Sequence, residues 1–138
     1  MWCWGSNQWG QLGDAIDAGA DGGLAYWSPT PVVVSGLPQG VRALAVGDTH
    51  SCALADGGVW CWGDSRFGEL GTGKFEVFNP TPTPVLGLPP GVESVTAGTE
   101  YTCALVDGGV WCWGYDDASS ETLPSPASNV PVPVTFPR

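Results

Sequence analysis

VWCWG stands at residues 59–63 and again at 110–114, and MWCWG occupies 1–5. A pentapeptide this rich in Trp, Cys and Gly, used repeatedly, marks an internal repeat. GLPQGVRALAVGDTHSCALADGGVWCWG (36–63) lies over GLPPGVESVTAGTEYTCALVDGGVWCWG (87–114) at an offset of 51, with 17 of 28 positions identical. The flanks follow. PTPVVV (29–34) matches PTPVLG (82–87), and GSNQWGQLG (5–13) matches GDSRFGELG (63–71) at an offset of 58. Seven extra residues therefore fall between Leu12 and Pro29, and PVPV at 131–134 begins a further proline segment.

Within one repeat the local signals are those of short strands. Val41 to Gly47 is an apolar run with branched residues, broken by Gly and a polar pair before HSCALA. Asp-Gly then supplies the positive φ of a tight hairpin, and VWCWG follows. The spacing predicts strands at 30–35, 41–47, 50–55 and 59–63, then at 82–86, 92–98, 101–106 and 110–114. Four-stranded antiparallel units recurring at this period define an all-β chain of β-propeller blades. A β-sandwich is the alternative, and it accommodates identical consecutive units badly. The expected organisation is one partial propeller domain over 1–138. In it, 1–27 is the last strand of a preceding blade plus a long connection, 28–64 and 79–114 are blades, and 115–138 is a degenerate connection and the first strand of a further blade.

The hairpin turn fixes a register. With Asp56 and Gly57 at its centre, pairing runs Ala55–Gly58, Leu54–Val59, Ala53–Trp60 and Cys52–Cys61. Alternation of hydrogen-bonded and non-hydrogen-bonded pairs places the cysteines on a close pair, within disulfide range. Two cross-strand disulfides are expected, Cys52–Cys61 and Cys103–Cys112, with Cys3 as the unpaired thiol. A three-residue turn would shift the register by one and leave four free, buried thiols instead. By the same logic Cys3 is expected to pair with a cysteine preceding Met1, making the chain a piece of a longer propeller or a protomer that completes a ring with other copies. The tryptophans flanking Cys61 and Cys112 face away from them, toward the neighbouring blade, where flat rings fill the interface.

Composition excludes several functions. The 138 residues carry 14 acids against four Lys and Arg, a net charge of -10, which speaks against nucleic-acid binding and against attraction to an anionic membrane. No apolar run reaches membrane-spanning length, so no membrane insertion is expected. No basic-and-apolar leader is visible. Gly (21) and Pro (13) make up about a quarter of the chain, which disfavours long helices.

Little points to chemistry. There is no G-x-S-x-G, H-E-x-x-H, Walker or dinucleotide motif. No C-x-x-C spacing exists and His50 is the one histidine, so neither a metal nor a cofactor is expected, and no catalytic residue is assigned. His50 has no nucleophile beside it, and Tyr101 takes its place in the second repeat. Asp14, Asp17 and Asp21, like Asp116, Asp117 and Glu121, read as solvated loop carboxylates rather than calcium ligands, since their spacing does not fit an EF-hand.

The pattern G-x-x-H-x-C-A-L-x-x-G-x-V-W-C-W-G-x-x-x-x-G-x-L-G resembles the regulator of chromosome condensation repeat, a seven-bladed propeller family. The matching residues are Gly47, His50, Ala53, Leu54, Gly57, Trp62, Gly63, Gly68, Leu70 and Gly71, and again Gly98, Ala104, Leu105, Gly108, Trp113 and Gly114. After Gly114 the G-x-L-G element is missing. The paired cysteines resemble a bacterial, exported branch of the family, which includes a propeller-type β-lactamase inhibitory protein. The resemblance implies a non-catalytic protein-binding scaffold located extracellularly, in the periplasm or at the cell surface, with a protein partner of unknown identity. The alternatives it implies are a regulatory guanine-nucleotide exchange factor for a small GTPase and an enzyme inhibitor. Candidate partner-binding residues sit in the connections: Trp9, Asp48, Thr49, His50, Arg66, Phe67, Glu100 and Tyr101.

Overall fold

Asp56 and Gly57 adopt φ of 50° and 74°, and Asp107 and Gly108 adopt 49° and 78°, the left-handed pair that a two-residue hairpin needs. From these two turns the registers run as the sequence predicts, Ala55 opposite Gly58 through Cys52 opposite Cys61, and Val106 opposite Gly109 through Cys103 opposite Cys112. In this computed structural model, which describes residues 1–14, 26–115 and 127–135, both cysteine pairs are disulfides with Cα atoms 4.1 Å apart.

Ten strands are described: β1 (Trp2–Ser6), β2 (Trp27–Val33), β3 (Val41–Val46), β4 (His50–Ala55), β5 (Gly58–Ser65), β6 (Glu76–Pro84), β7 (Val92–Ala97), β8 (Tyr101–Val106), β9 (Gly109–Tyr115) and β10 (Ala127–Pro133). They form three antiparallel sheets: β1–β2, then β3–β4–β5–β6, then β7–β8–β9–β10. These are four-stranded propeller blades with a two-stranded sheet beside them, an all-β architecture.

The blade partition differs from the expected one. The proline strands do not open the units that follow them. Instead β2 pairs with β1, β6 with β5, and β10 with β9, so each closes the sheet before it. The sheets therefore span 41–84 and 92–133, and the expected units 28–64 and 79–114 each join strands of different sheets. The physical reason lies in the prolines. Lacking N–H groups, they suit an outer strand that pairs on one edge only. Either neighbouring sheet offers such an edge, and the long connection from β5 folds back to its own sheet.

The core lies between the two full sheets. Leu54, the Cys52–Cys61 disulfide and Leu70 pack against Val92, Val95, Ala104 and Trp113. On the opposite face of the first full sheet, Trp62 packs with Ala53 and Val34, against Met1 and Cys3. Trp62 and Cys61 thus point to opposite sides of their sheet, as alternation requires. The approach is close: a Cβ on Gly47 would collide with the Gly98 carbonyl oxygen of the next sheet.

Candidate functional site

The G-x-L-G segments explain both the sheet-to-sheet joints and the rim above them. After β1, the Gln11 carbonyl accepts hydrogen bonds from Trp62 Nε1 and Ser51 Oγ of the next sheet, both at 2.9 Å. Gly13 lets that segment lie against the Trp62 ring, and at φ +69° a side chain there would be strained as well as clashing. After β5, the Glu69 carbonyl accepts from Thr102 Oγ1 at 2.8 Å, and Gly71 lies against Trp113. Each loop therefore lies against the next repeat's second tryptophan, and its carbonyl bonds that tryptophan at the first joint and Thr102 at the second.

At the second joint a chain of polar groups is buried. Thr102 spends its only hydroxyl proton on Glu69, so the 2.8 Å contact with His50 Nε2 has the imidazole donating. His50 is thereby assigned the Nε2–H tautomer, and its Nδ1 has no hydrogen-bond partner among the described residues. Burial lowers its pKa to about 4, against the opposing pull of Asp64 and Asp48. Glu69 is also buried. One oxygen accepts the Phe67 N–H at 2.9 Å and the other has no hydrogen-bond partner among the described residues. Burial pushes its pKa up to about 7, and the carboxylates of Asp64 and Glu100 push the same way.

Above this joint the connections bring aromatic and cationic side chains together. Asp64, buried at the end of β5, accepts the Arg66 N–H at 3.0 Å, fixing the turn. It also grips the guanidinium, with Nη2 at 2.6 Å from Oδ2 and Nε at 3.0 Å from Oδ1. This bidentate pair holds the Arg66 guanidinium over the Trp9 ring, 4.0 Å from its centroid. On the other side, Phe67 meets Tyr115 with centroids 5.4 Å apart. Trp9 follows β1, Arg66 and Phe67 follow β5, and Tyr115 ends β9, so one ridge crosses all three sheets.

The candidate residues are thus sorted. Trp9, Arg66 and Phe67 come together. Asp48 and Tyr101 are exposed, while Thr49 and Glu100 are partly buried, and the Glu100 carbonyl accepts the Tyr115 N–H at 2.8 Å. His50 is corrected: it is fully buried between sheets and offers no surface to a partner. Sequence reasoning missed Tyr115 and Glu69. Aligning Glu69 with Gln11, an acid where the sister repeat has an amide, was the signal available for the second. Among the described residues no group of three or more His, Cys, Asp or Glu is placed to hold a metal. Asp17, Asp21, Asp116, Asp117 and Glu121 lie outside the described residues.

Comparison with known proteins agrees with this architecture. The regulator of chromosome condensation (RCC1) repeat matches residues 1–54 and 56–105. The chain belongs to the RCC1 repeat family. It is 35% identical to mouse alsin over 145 aligned positions, covering 97% of this chain and 8% of alsin. It is 32% identical to the human E3 ubiquitin-protein ligase HERC2 over 124 positions, covering 85% of this chain and 2% of HERC2. The chain therefore spans a small part of the curated relatives it matches. Among solved structures it resembles yeast RCC1 (Prp20) bound to Kap60, with a TM-score of 0.80, 26% identity and coverage of 96% of this chain and 32% of that one. Human WBSCR16 gives a TM-score of 0.77 at 25% identity, covering 98% and 34% of the two chains. These relatives are eukaryotic, and both solved chains are about three times the length matched here.

Proposed function

We propose that this chain is part of a non-catalytic protein-binding scaffold that engages its partner along the Trp9–Arg66–Phe67–Tyr115 ridge. The observation that carries this reading is the pre-positioning of Arg66. Its guanidinium is clamped by Asp64 and stacked on Trp9, yet its side chain keeps 42% exposure. Tyr, Trp and Arg are the residue types that dominate binding energy, and a side chain already held in place loses little freedom on association. Charge argues for a basic partner, since a chain of net charge -10 attracts one over distance. Yeast Prp20p, a family member, has binding properties toward Gsp1p and histones, and histones are basic.

An oxidising location fits the two disulfides. It favours the exported, cysteine-paired branch of the family over the alternative of a cytosolic exchange factor, whose surroundings would reduce them. An enzyme inhibitor acting through the same ridge remains a special case of this reading.

The test is biolayer interferometry of the oxidised chain against core histones and Gsp1p, at low and high salt. Binding that weakens with salt and drops about ten-fold or more in Arg66→Ala and Trp9→Ala, as hot-spot truncation does, is the expected result. Binding indifferent to both substitutions, or none to either protein, overturns the assignment of the ridge.

A further inference from the structure

The two hairpin tips share a sequence and a backbone shape, yet they are held differently. ADGGV (55–59) and VDGGV (106–110) differ only in their first residue. Both turns put Asp and Gly in left-handed conformations. Asp56, Gly57, Asp107 and Gly108 are all exposed, and a Cβ on either glycine would meet nothing within 4 Å. The second turn is nevertheless tethered twice. Gly108 N–H donates to Glu93 Oε1 at 3.0 Å, and Asp107 N–H donates to the Gly91 carbonyl at 3.3 Å. Among the described residues the first turn has no counterpart of either bond.

A change of residue accounts for the first difference. Glu93 is the bulged residue of β7, in the register shift between Val92 and Ser94, and Arg42 holds the same place on β3 between Val41 and Ala43. A guanidinium carries donors only, so Arg42 cannot accept the Gly57 N–H. That N–H belongs to a central residue of the turn and takes no part in the strand ladder. Beside it lies a cavity of about 430 Å³ lined by Asp56, Gly57, Leu88 and Pro89, which gives the Asp56 side chain room to swing over the backbone.

We propose that the Asp56–Gly57 turn is a site of backbone isomerisation to isoaspartate through a succinimide, and that Glu93 protects Asp107–Gly108 from the same reaction. The Gly57 nitrogen attacks Cγ of the protonated Asp56 carboxyl. A C–N bond forms, the carboxyl C–OH bond breaks, and the hydroxyl leaves with the amide proton as water. Water then adds back. Opening at the former side-chain carbonyl restores aspartate. Opening at the former main-chain carbonyl breaks its bond to nitrogen, so the chain runs through the side chain and the α-carboxylate is set free. At the second turn the Gly108 nitrogen must first give up its bond to a carboxylate, and the Gly91 bond resists the rotation that brings Asp107 onto it. Isoaspartate lengthens the backbone of a turn that closes with two residues, so the register from Ala55–Gly58 outward loosens, while the Cys52–Cys61 disulfide keeps the strands together.

The test is to age the oxidised chain in mildly acidic buffer at 37 °C and to map isoaspartate at the two positions by electron-transfer fragmentation. Asp56 should convert about ten-fold faster or more, the factor expected of a hydrogen bond to a charged group. Amide hydrogen exchange of the fresh protein should be faster at Gly57 than at Gly108. In the reduced, urea-unfolded chain the two sites should react at equal rates, because their local sequences are nearly the same. Glu93→Ala should raise the Asp107 rate, and Arg42→Glu should lower the Asp56 rate; both substitutions are at exposed positions. Equal rates in the folded protein, a difference that persists on unfolding, or rates unmoved by both substitutions would each overturn the proposal.

Discussion

Replacing Glu69 by Gln should stabilise the protein, by an amount that depends on pH. Its buried carboxyl is raised from an ordinary 4.5 to about 7. A raised folded-state value means that stability is fully present below 4.5 and is lost as pH rises through about 7. Each pH unit between the two values is worth about 1.4 kcal/mol, which bounds the neutral-pH cost at roughly 3 kcal/mol. Solvent at the nearby rim screens the charge, and about 1 to 2 kcal/mol is the working figure. Gln keeps the acceptor that Phe67 N–H uses, as Gln11 does for Trp9 N–H at 2.9 Å in the sister repeat. Its amide also places a donor where Glu69 has an unpaired oxygen beside the Asp64 charge. Urea unfolding of the oxidised protein at pH 8 should show a midpoint about 0.5 to 1 M higher for the variant, for a slope near 2 kcal/mol per molar. At pH 5 the gain should shrink to about a quarter of that, as the folded carboxyl is then neutral. A gain of equal size at both pH values, or a loss at pH 8, would refute the reasoning.

Three further outcomes follow from the same structure. His50, held neutral with a pKa of about 4 against an ordinary 6.5, contributes stability present above 6.5 that is lost as pH falls through 4. Its slope opposes that of Glu69 between about 4.5 and 6.5, so His50→Gln should leave a protein whose melting temperature rises on acidification across that window; a profile parallel to the parent's would contradict this. Replacing Cys52 and Cys61 together by Ala removes a cross-link of sequence separation 9 and should cost about 2 to 3 kcal/mol in urea titrations. Trp62 Nε1 donates to Gln11 whereas Trp113 Nε1 has no partner among the described residues, so Trp62→Phe should cost about 1 kcal/mol more than Trp113→Phe by the same assay.

What the sequence makes legible is whatever short-range geometry dictates. Asp-Gly at the hairpin tip sets the turn, the turn sets the register, and the register sets the disulfides; each step spans fewer than a dozen residues. The proline strands escape because hydrogen-bonding adjacency is not written in alternation. PTPVVV sits a few residues before the next apolar run, and nothing local says that its partner lies behind it at β1 rather than ahead at β3. The site divides in the same way. Trp9, Arg66 and Phe67 are visible as aromatic and cationic residues in connections. Their convergence depends on three sheets stacking, and Tyr115 becomes part of the ridge only through that stacking. His50 looks like a loop residue at the start of a strand, and only the neighbouring sheet buries it.

Both disulfides join adjacent strands of one sheet, and nothing covalent besides the backbone joins one sheet to the next. Under mechanical load the molecule is accordingly a series of inextensible clips on extensible hinges. Pulled from its ends, it should part first where loop carbonyls meet Trp62 and Thr102. Each oxidised hairpin then withholds the backbone inside its cross-link, about 3 nm of contour for a separation of 9 residues. A reductant would return that length, so the redox state of its surroundings sets how far this chain can stretch without altering which joint yields first.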